Sequence, residues 1–350
     1  MPIKVDLRSD TVTKPSQAMR QAMAQAEVGD DVIDRDPTVR LLEERTANIM
    51  AQPAGLFVPS GSMSNLVALM THLGRGDRYF APRSAHILTH ELGTAAWLAG
   101  GMAGELPWSL GPGIPSPDDV TAAAQEEPAK PAYYDLIARL LCLENTHNQA
   151  GGTVIRQAVA FQLVDAAHQV GWSVHLDGAR IWHAAAAQGL TPSQAAGPVD
   201  SVTVCFSKGL GAPVGSMLCA PTGFIEQARR WRKALGGGMR QAGVLAAAAL
   251  VALDQELPRI DQDRLRAVRL ASALRELGLD SPEPDTNIVM VRPAAGSGLT
   301  PGQLAAAWAA AGVGCLVMGT AVRLVTHRDI DDSALGQAVD LIANATRQAA

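Results

Sequence analysis

Short apolar runs that end in polar clusters constrain this chain more than any other feature. Residues 55–59, 140–143, 173–176, 202–206 and 216–220 are strand-length and largely apolar, and helical patterns such as 63–73 and 158–170 separate them. Strands this hydrophobic need cover on both faces. Alternation with helices supplies it, which predicts an α/β fold: a mostly parallel sheet flanked by helices. Sheets of that kind bind ligands beyond the carboxyl ends of their strands. The polar clusters fall there: Ser60-Gly61-Ser62, Glu144-Asn145-Thr146-His147-Asn148, Asp177-Gly178-Ala179-Arg180 and Ser207-Lys208.

The remaining organisation follows from pattern changes. Helices are predicted at 15–26 and 38–51. The apolar run 242–253 is too short to span a bilayer and reads as a buried helix. Near Asp254 the pattern becomes helix, short strands at 287–291 and 322–325, then helix. We therefore divide the chain into a large domain, 1–250, that includes the N-terminal segment, and a smaller α+β domain, 251–350. The Pro-, Gly- and Glu-rich stretch 104–131 is predicted to be a surface excursion with helical turns. The stretch 6–13, crowded with charges and hydroxyls, reads on its own as a surface or disordered segment.

Bulk properties exclude several classes. The net charge is −5 with no long run of either sign, which leaves no footprint for nucleic acid or an anionic membrane. The first ten residues lack the apolar core of a signal peptide. None of the four cysteines, Cys142, Cys205, Cys219 and Cys315, belongs to a CxxC pair. They are expected to be reduced core residues of a cytoplasmic protein without a metal site.

Lys208 is the chemically telling residue. A lysine at the end of a buried strand loses hydration, which favours its neutral, nucleophilic amine, the form that makes Schiff bases with carbonyls and with pyridoxal phosphate. Asp177 ends the upstream run 173–176. Together they make the pair a pyridoxal enzyme requires, a lysine for the aldehyde and a carboxylate for the pyridine nitrogen. Ser60-Gly61-Ser62, between a strand and a helix, suits a phosphate, although an ordinary helix cap has the same composition. Arg180 could grip a carboxylate, support the cofactor, or form a structural pair with an aspartate. His147 and His86 are candidates for proton transfer or ring stacking. His72, His168, His175, His183 and His327 read as satisfied structural residues, and His90 beside Glu91 fits either role. Arg240, after Gly236-Gly237-Gly238, is a candidate phosphate ligand. The basic cluster Arg229, Arg230, Arg232 and Lys233 is a solvated face or reaches an anionic site, including one in a neighbouring subunit.

With these motifs in view, the chain resembles the low-specificity L-threonine aldolases, pyridoxal-phosphate enzymes of the aspartate-aminotransferase-like fold. The matching motifs are DLRSDTVT (6–13), DPTV (36–39), PSGSMSN (59–65), ENTHN (144–148), HLDGARI (175–181), SKGLGAPVGS (207–216), GGGMRQAG (236–243) and VRLVTH (322–327). The resemblance implies that Lys208 holds the cofactor aldehyde, Asp177 pairs with the ring nitrogen and His86 stacks on the ring. It implies that Ser60, Gly61, Ser62 and Ser207, with Lys233 and with Arg240 of an adjacent subunit, surround the cofactor. Ser9, Arg180 and Arg323 would bind the substrate carboxylate, and His147 would sit near the β-hydroxyl. The base is then His147, or a water held by His86 and His147. The implied reaction cleaves L-threonine, L-allo-threonine and related amino acids to glycine and an aldehyde. Another β-eliminating lyase or a racemase would share the cofactor, and a catalytically silent scaffold would lack the chemistry. A homotetramer built as a dimer of dimers is expected. The chain departs from the family pattern at Ile33-Asp34-Arg35, where Tyr-Gly-Glu is usual, and at Ser62, His90 and Trp182.

Overall fold

The structure, a computed structural model, describes residues 2–125 and 135–349. The chain begins with a two-residue strand, β1 (Val5–Asp6), and then builds a seven-stranded sheet. Its strands are β2 (Ala54–Val58), β3 (Arg78–Pro82), β4 (Met102–Leu106), β5 (Ala138–Glu144), β6 (Ser173–Gly178), β7 (Ser201–Cys205) and β8 (Ser216–Ala220), in spatial order β2-β8-β7-β6-β5-β3-β4. β8 runs antiparallel to both neighbours, and every other pairing is parallel. β7 and β8 are buried along their whole length, as continuous apolar runs demand. The expected mostly parallel sheet covered by helices is what forms.

The parallel geometry sends the ends of β2, β3, β5, β6 and β7 to one edge. Ser60, His86, Glu144, Asp177 and Lys208 therefore share that edge, although up to 148 positions separate them in the chain (208 − 60). Two glycines permit the close packing there. A Cβ on Gly178 would lie 2.7 Å from the Thr203 carbonyl, and one on Gly61 would lie 3.0 Å from Cys205 Sγ. Trp182, fully buried, fastens the following helix to β7 by donating its indole N–H to the Cys205 carbonyl at 2.8 Å. It belongs to the core, not to the lining of the site.

A second core surrounds a three-stranded antiparallel sheet, β11-β12-β9, made of β9 (Ile288–Val291), β11 (Leu316–Met318) and β12 (Ala321–Val325). Strand β10 (Val313–Gly314) pairs with β1, and Val5 and Leu7 are buried in this second core. The proposed division at residue 250 thus needs an amendment, because the N-terminal strand packs with the smaller unit. The surface reading of 6–13 is also corrected. Leu7 and Asp10 are fully buried, held by long-range pairing that no local pattern announces.

The stretch 104–131 is likewise more ordered than expected. Met102–Leu106 is one of the two edge strands and Pro117–Gln125 is a helix, while 126–131 lie outside the described residues. The helix Gly243–Gln255 confirms the buried reading of the alanine-rich run. Among the described residues, no helix is long and apolar enough to cross a membrane. All four cysteines are unpaired, and Cys315 is only half-buried.

Candidate active site

Asp177 is buried at the end of β6, one strand from the segment that carries Lys208. Its Oδ1 accepts the Ala179 N–H (3.0 Å) and its Oδ2 accepts from Asn65 Nδ2 (2.8 Å). Burial alone would raise its pKa. The charges of Lys208 and His86, with the hydrogen bonds, outweigh that and hold it below the usual carboxylate value. Lys208 itself is half-buried, less enclosed than a strand-end position suggested. Its carbonyl accepts from Thr13 Oγ1 at 3.2 Å, which ties the N-terminal segment to the lysine. Ser207 beside it is also half-buried.

Ser60 caps the helix Gly61–His72 by accepting the Met63 N–H at 3.2 Å. The first helical residues, Gly61 and Ser62, have no earlier carbonyl within the helix to bond. Their N–H groups and the Ser62 hydroxyl stand at the positive end of the helix. Ser60 is thus a capping residue, and Gly61 and Ser62 offer the donors.

His86 follows β3. Its Nδ1 lies 2.8 Å from Glu91 Oε1, and its backbone N–H donates to Glu144 Oε2 at 2.7 Å. Burial would lower the His86 pKa, but Glu91, Asp177 and Glu144 raise it overall. Burial raises the Glu91 carboxyl. Glu144 Oε1 accepts the Asn148 N–H at 2.8 Å, so one carboxylate clamps both the His86 loop and the 145–148 loop. His147 is fully buried, edge-on to Trp108 with ring centres 5.5 Å apart. Its Nδ1 accepts the Ala150 N–H at 3.3 Å, while Nε2 has no hydrogen-bond partner among the described residues and lies 3.9 Å from Glu144 Oε2.

Arg180 and Arg323 converge on Asn148 Oδ1, at 3.4 and 2.8 Å. Their charges are balanced differently. Arg180 makes a buried two-point ion pair with Asp10, Nε to Oδ2 at 2.8 Å and Nη2 to Oδ1 at 2.7 Å. Burial would raise Asp10, and Arg180 overrides it to hold the carboxyl far below the normal range. The aspartate partner of Arg180 is thus Asp10 rather than nearby Asp177. Arg323 donates Nη2 to the Arg8 carbonyl at 3.0 Å, leaves its buried Nε unpartnered and, among the described residues, pairs with no carboxylate. Burial and the Arg180 charge lower its pKa to about 10. Ser9 lies next to this pair, with its hydroxyl engaged by Thr11.

Lys233 and Arg240 make no hydrogen bond to the helix start at Ser60-Gly61-Ser62 among the described residues, although Gly237 between them packs against Met63. Arg240 is exposed and pairs with Asp30 at 3.0 Å. The unusual Ile33-Asp34-Arg35 segment belongs to the same region. Asp30 Oδ1 accepts the Ile33 N–H at 3.1 Å while also holding Arg240. His90 hydrogen-bonds Gln149 at the exposed margin of the 145–150 loop. The sequence reading missed Asn65, Glu91, Asp10 and Asn148, each of which contacts a predicted site residue. Asp10, Asn65 and Asn148 stand inside quoted motifs and Glu91 lies five residues from His86, but Asp10, Asn65 and Asn148 find their site partners far away in the chain.

A model of the beta-eliminating lyase family matches residues 6–295. The chain is 40% identical over 335 residues to Low-specificity L-threonine aldolase 1 of Arabidopsis thaliana, covering 94% of this chain and 92% of that protein. It is 38% identical over 341 residues to the Low specificity L-threonine aldolase of Escherichia coli (strain K12), covering 95% and 96%. Among solved structures, a threonine aldolase from Leishmania major has a similar fold, with a TM-score of 0.79 at 18% identity over 99% of this chain and 100% of that one.

Proposed function

The chain belongs to the beta-eliminating lyase family and, within it, to the low-specificity L-threonine aldolases, and from that premise we propose that it cleaves L-threonine, L-allo-threonine and related β-hydroxy-α-amino acids to glycine and an aldehyde with pyridoxal 5'-phosphate as cofactor. The observation that carries this reading is the meeting of a lysine and a buried ionised aspartate at the edge of the large sheet with Arg323 from the smaller one, an arginine that pairs with no carboxylate among the described residues.

The donor set fits the cofactor. Lys208 would hold the aldehyde and Asp177 the pyridine nitrogen. Gly61 and Ser62 would receive the phosphate on the free N–H groups of the helix start. His86 would cover the ring face, its imidazole held by Glu91 and its backbone N–H by Glu144. Bound there, the ring supplies an electron sink for the pair released when the Cα–Cβ bond breaks.

The protein's own residues then select that bond. Arg323, with Arg180 and Ser9 beside it, fixes the substrate carboxylate and so sets which bond at Cα stands perpendicular to the ring. The hydrogen bonds also assign proton roles. His147 accepts at Nδ1, so its neutral ring presents an N–H at Nε2, a donor rather than a base. His86 donates Nδ1–H to Glu91, so in its neutral form the lone pair is on Nε2. A water accepting from His147 and donating to His86 is therefore the favoured base for the β-hydroxyl proton.

The same reading makes the active protein a cytoplasmic homotetramer, a dimer of dimers in which Arg240 and Lys233 of one subunit reach the phosphate cradle of another. The exposed Leu92 and Trp97 near the His86 loop support a covered surface there. The decisive test follows acetaldehyde and glycine from L-threonine and L-allo-threonine separately, with borohydride trapping to locate the cofactor. Both products should form, and Lys208→Ala should abolish turnover and the trapped adduct. Keto acid without glycine would overturn the aldolase reading.

A further inference from the structure

Inward of the sheet edge, polar side chains continue from Asp177 in an unbroken hydrogen-bonded line. Asn65 Nδ2 donates to Asp177 Oδ2 and to Glu91 Oε1, both at 2.8 Å. Asn65 Oδ1 lies 3.2 Å from His175 Nε2, His175 Nδ1 lies 2.8 Å from Ser201 Oγ, and Ser201 Oγ lies 2.8 Å from His72 Nε2. Asn65, His175 and Ser201 are buried, so no bulk water replaces a missing partner. His72 and His175, read from the sequence as satisfied structural residues, thus connect to the ionised carboxylate.

Donor and acceptor chemistry gives the line one direction. Turning the Asn65 amide over would set its oxygen against two carboxylate oxygens, so its NH2 faces them. Its oxygen can only accept, which requires the proton of His175 on Nε2. His175 Nδ1 then accepts the Ser201 hydroxyl proton. The Ser201 oxygen is left to accept from His72 Nε2–H. Every proton donor points toward Asp177 and Glu91, an arrangement in which each bond polarises the next. His175 must be neutral for this order, and His72 must carry a proton on Nε2. Burial supports that, lowering His175 to about 4 and His72 to about 3.

We infer that His72, Ser201 and His175 are positioning residues, forming a one-directional hydrogen-bond chain that locks the Asn65 amide and thereby holds the Asp177 carboxylate ready for the pyridine nitrogen. This rests on the proposed cofactor. Glu91 shares the same amide, so the chain sets the partner of His86 at the same time. It acts through Asn65 and touches no reacting atom.

Two measurements test it, the first without cofactor. NMR of the cofactor-free wild-type protein carrying 15N-labelled histidine should report His175 and His72 as neutral Nε2–H tautomers at pH 7. A charged His175, or one protonated on Nδ1, would overturn the chain. Equilibrium binding of pyridoxal 5'-phosphate to Ser201→Ala should then be weaker by about tenfold, the scale of a buried acceptor left unpaired. An affinity equal to wild type would also overturn it. Failure of the wild-type protein to bind the cofactor would instead refute the proposed function, and the tautomers would still decide whether the chain exists.

Discussion

Replacing Arg323 with methionine separates substrate binding from chemistry. Arg323 and Arg180 share Asn148, but among the described residues only Arg180 has its charge balanced, by Asp10. The Arg323 Nε–H is buried and unpartnered, and a substrate carboxylate would satisfy it. Truncating one member of a buried charge pair costs about 2–5 kcal/mol. Taking about 3 kcal/mol, the KM for L-threonine should rise roughly 100-fold. The kcat should fall far less, because methionine fills similar volume and touches no proton-carrying group. Arg323→Lys should give an intermediate KM, since an ammonium keeps the charge without the planar fork. Steady-state kinetics on both variants, with circular dichroism to verify folding, make the comparison. A KM within threefold of wild type, or a loss confined to kcat, would refute the carboxylate role.

Two further outcomes follow from buried charge. Asp10→Asn leaves Arg180 without its counter-ion, which should cost about 3–5 kcal/mol of stability. The double variant with Arg180→Met should be less unstable than the sum of the two single variants. Additivity within about 0.5 kcal/mol in urea unfolding would show that the pair is uncoupled. His175, together with His72, contributes pH dependence. Its folded pKa, about 4, lies below its unfolded value of 6.5, so the unfolded chain binds more protons between those limits. Its contribution is complete above about pH 6.5 and is lost as pH falls toward 4, by roughly 3 kcal/mol. His175→Gln should flatten that slope whatever its absolute stability, and an unchanged slope would contradict the buried neutral ring.

The sheet was legible where burial made the strands continuously apolar. β5 to β8 and the helices between them declare themselves through composition alone. β3 and β4 escaped because each breaks that signal. β3 opens with Arg78 and closes with Pro82, and β4, at the sheet edge, exposes Met102, Ala103 and Glu105 and carries Gly104. The site divides in the same way. Lys208 and Asp177 were readable because each stands at a strand end with a chemical reason to be there. Asn65 was not, since its partner Asp177 lies 112 residues away. Asp10 was not either, being 170 residues from Arg180. An isolated polar residue carries no mark of such a partner, and Asp10 was hidden further by a segment whose local composition resembles a surface strand of charges.

That N-terminal segment explains why the candidate carboxylate site forms where it does. Val5 and Leu7 anchor it in the smaller core, and the Val325 N–H donates to the Leu7 carbonyl at 2.8 Å. The Arg8 carbonyl then receives Arg323, Asp10 receives Arg180 and Asn287, and Thr13 donates to the Lys208 carbonyl. Within nine residues, one strand of chain touches both arginines, the lysine and both cores. Arg323 belongs to the smaller core, while Arg180 and Lys208 belong to the sheet edge of the larger one. The distance between the two guanidinium groups is therefore set by how the cores sit against each other, with residues 5–13 as the spacer. Shortening or loosening that spacer should disturb the grip on the carboxylate before it disturbs Lys208 or Asp177, because the latter two are fixed by neighbouring strands of a single sheet.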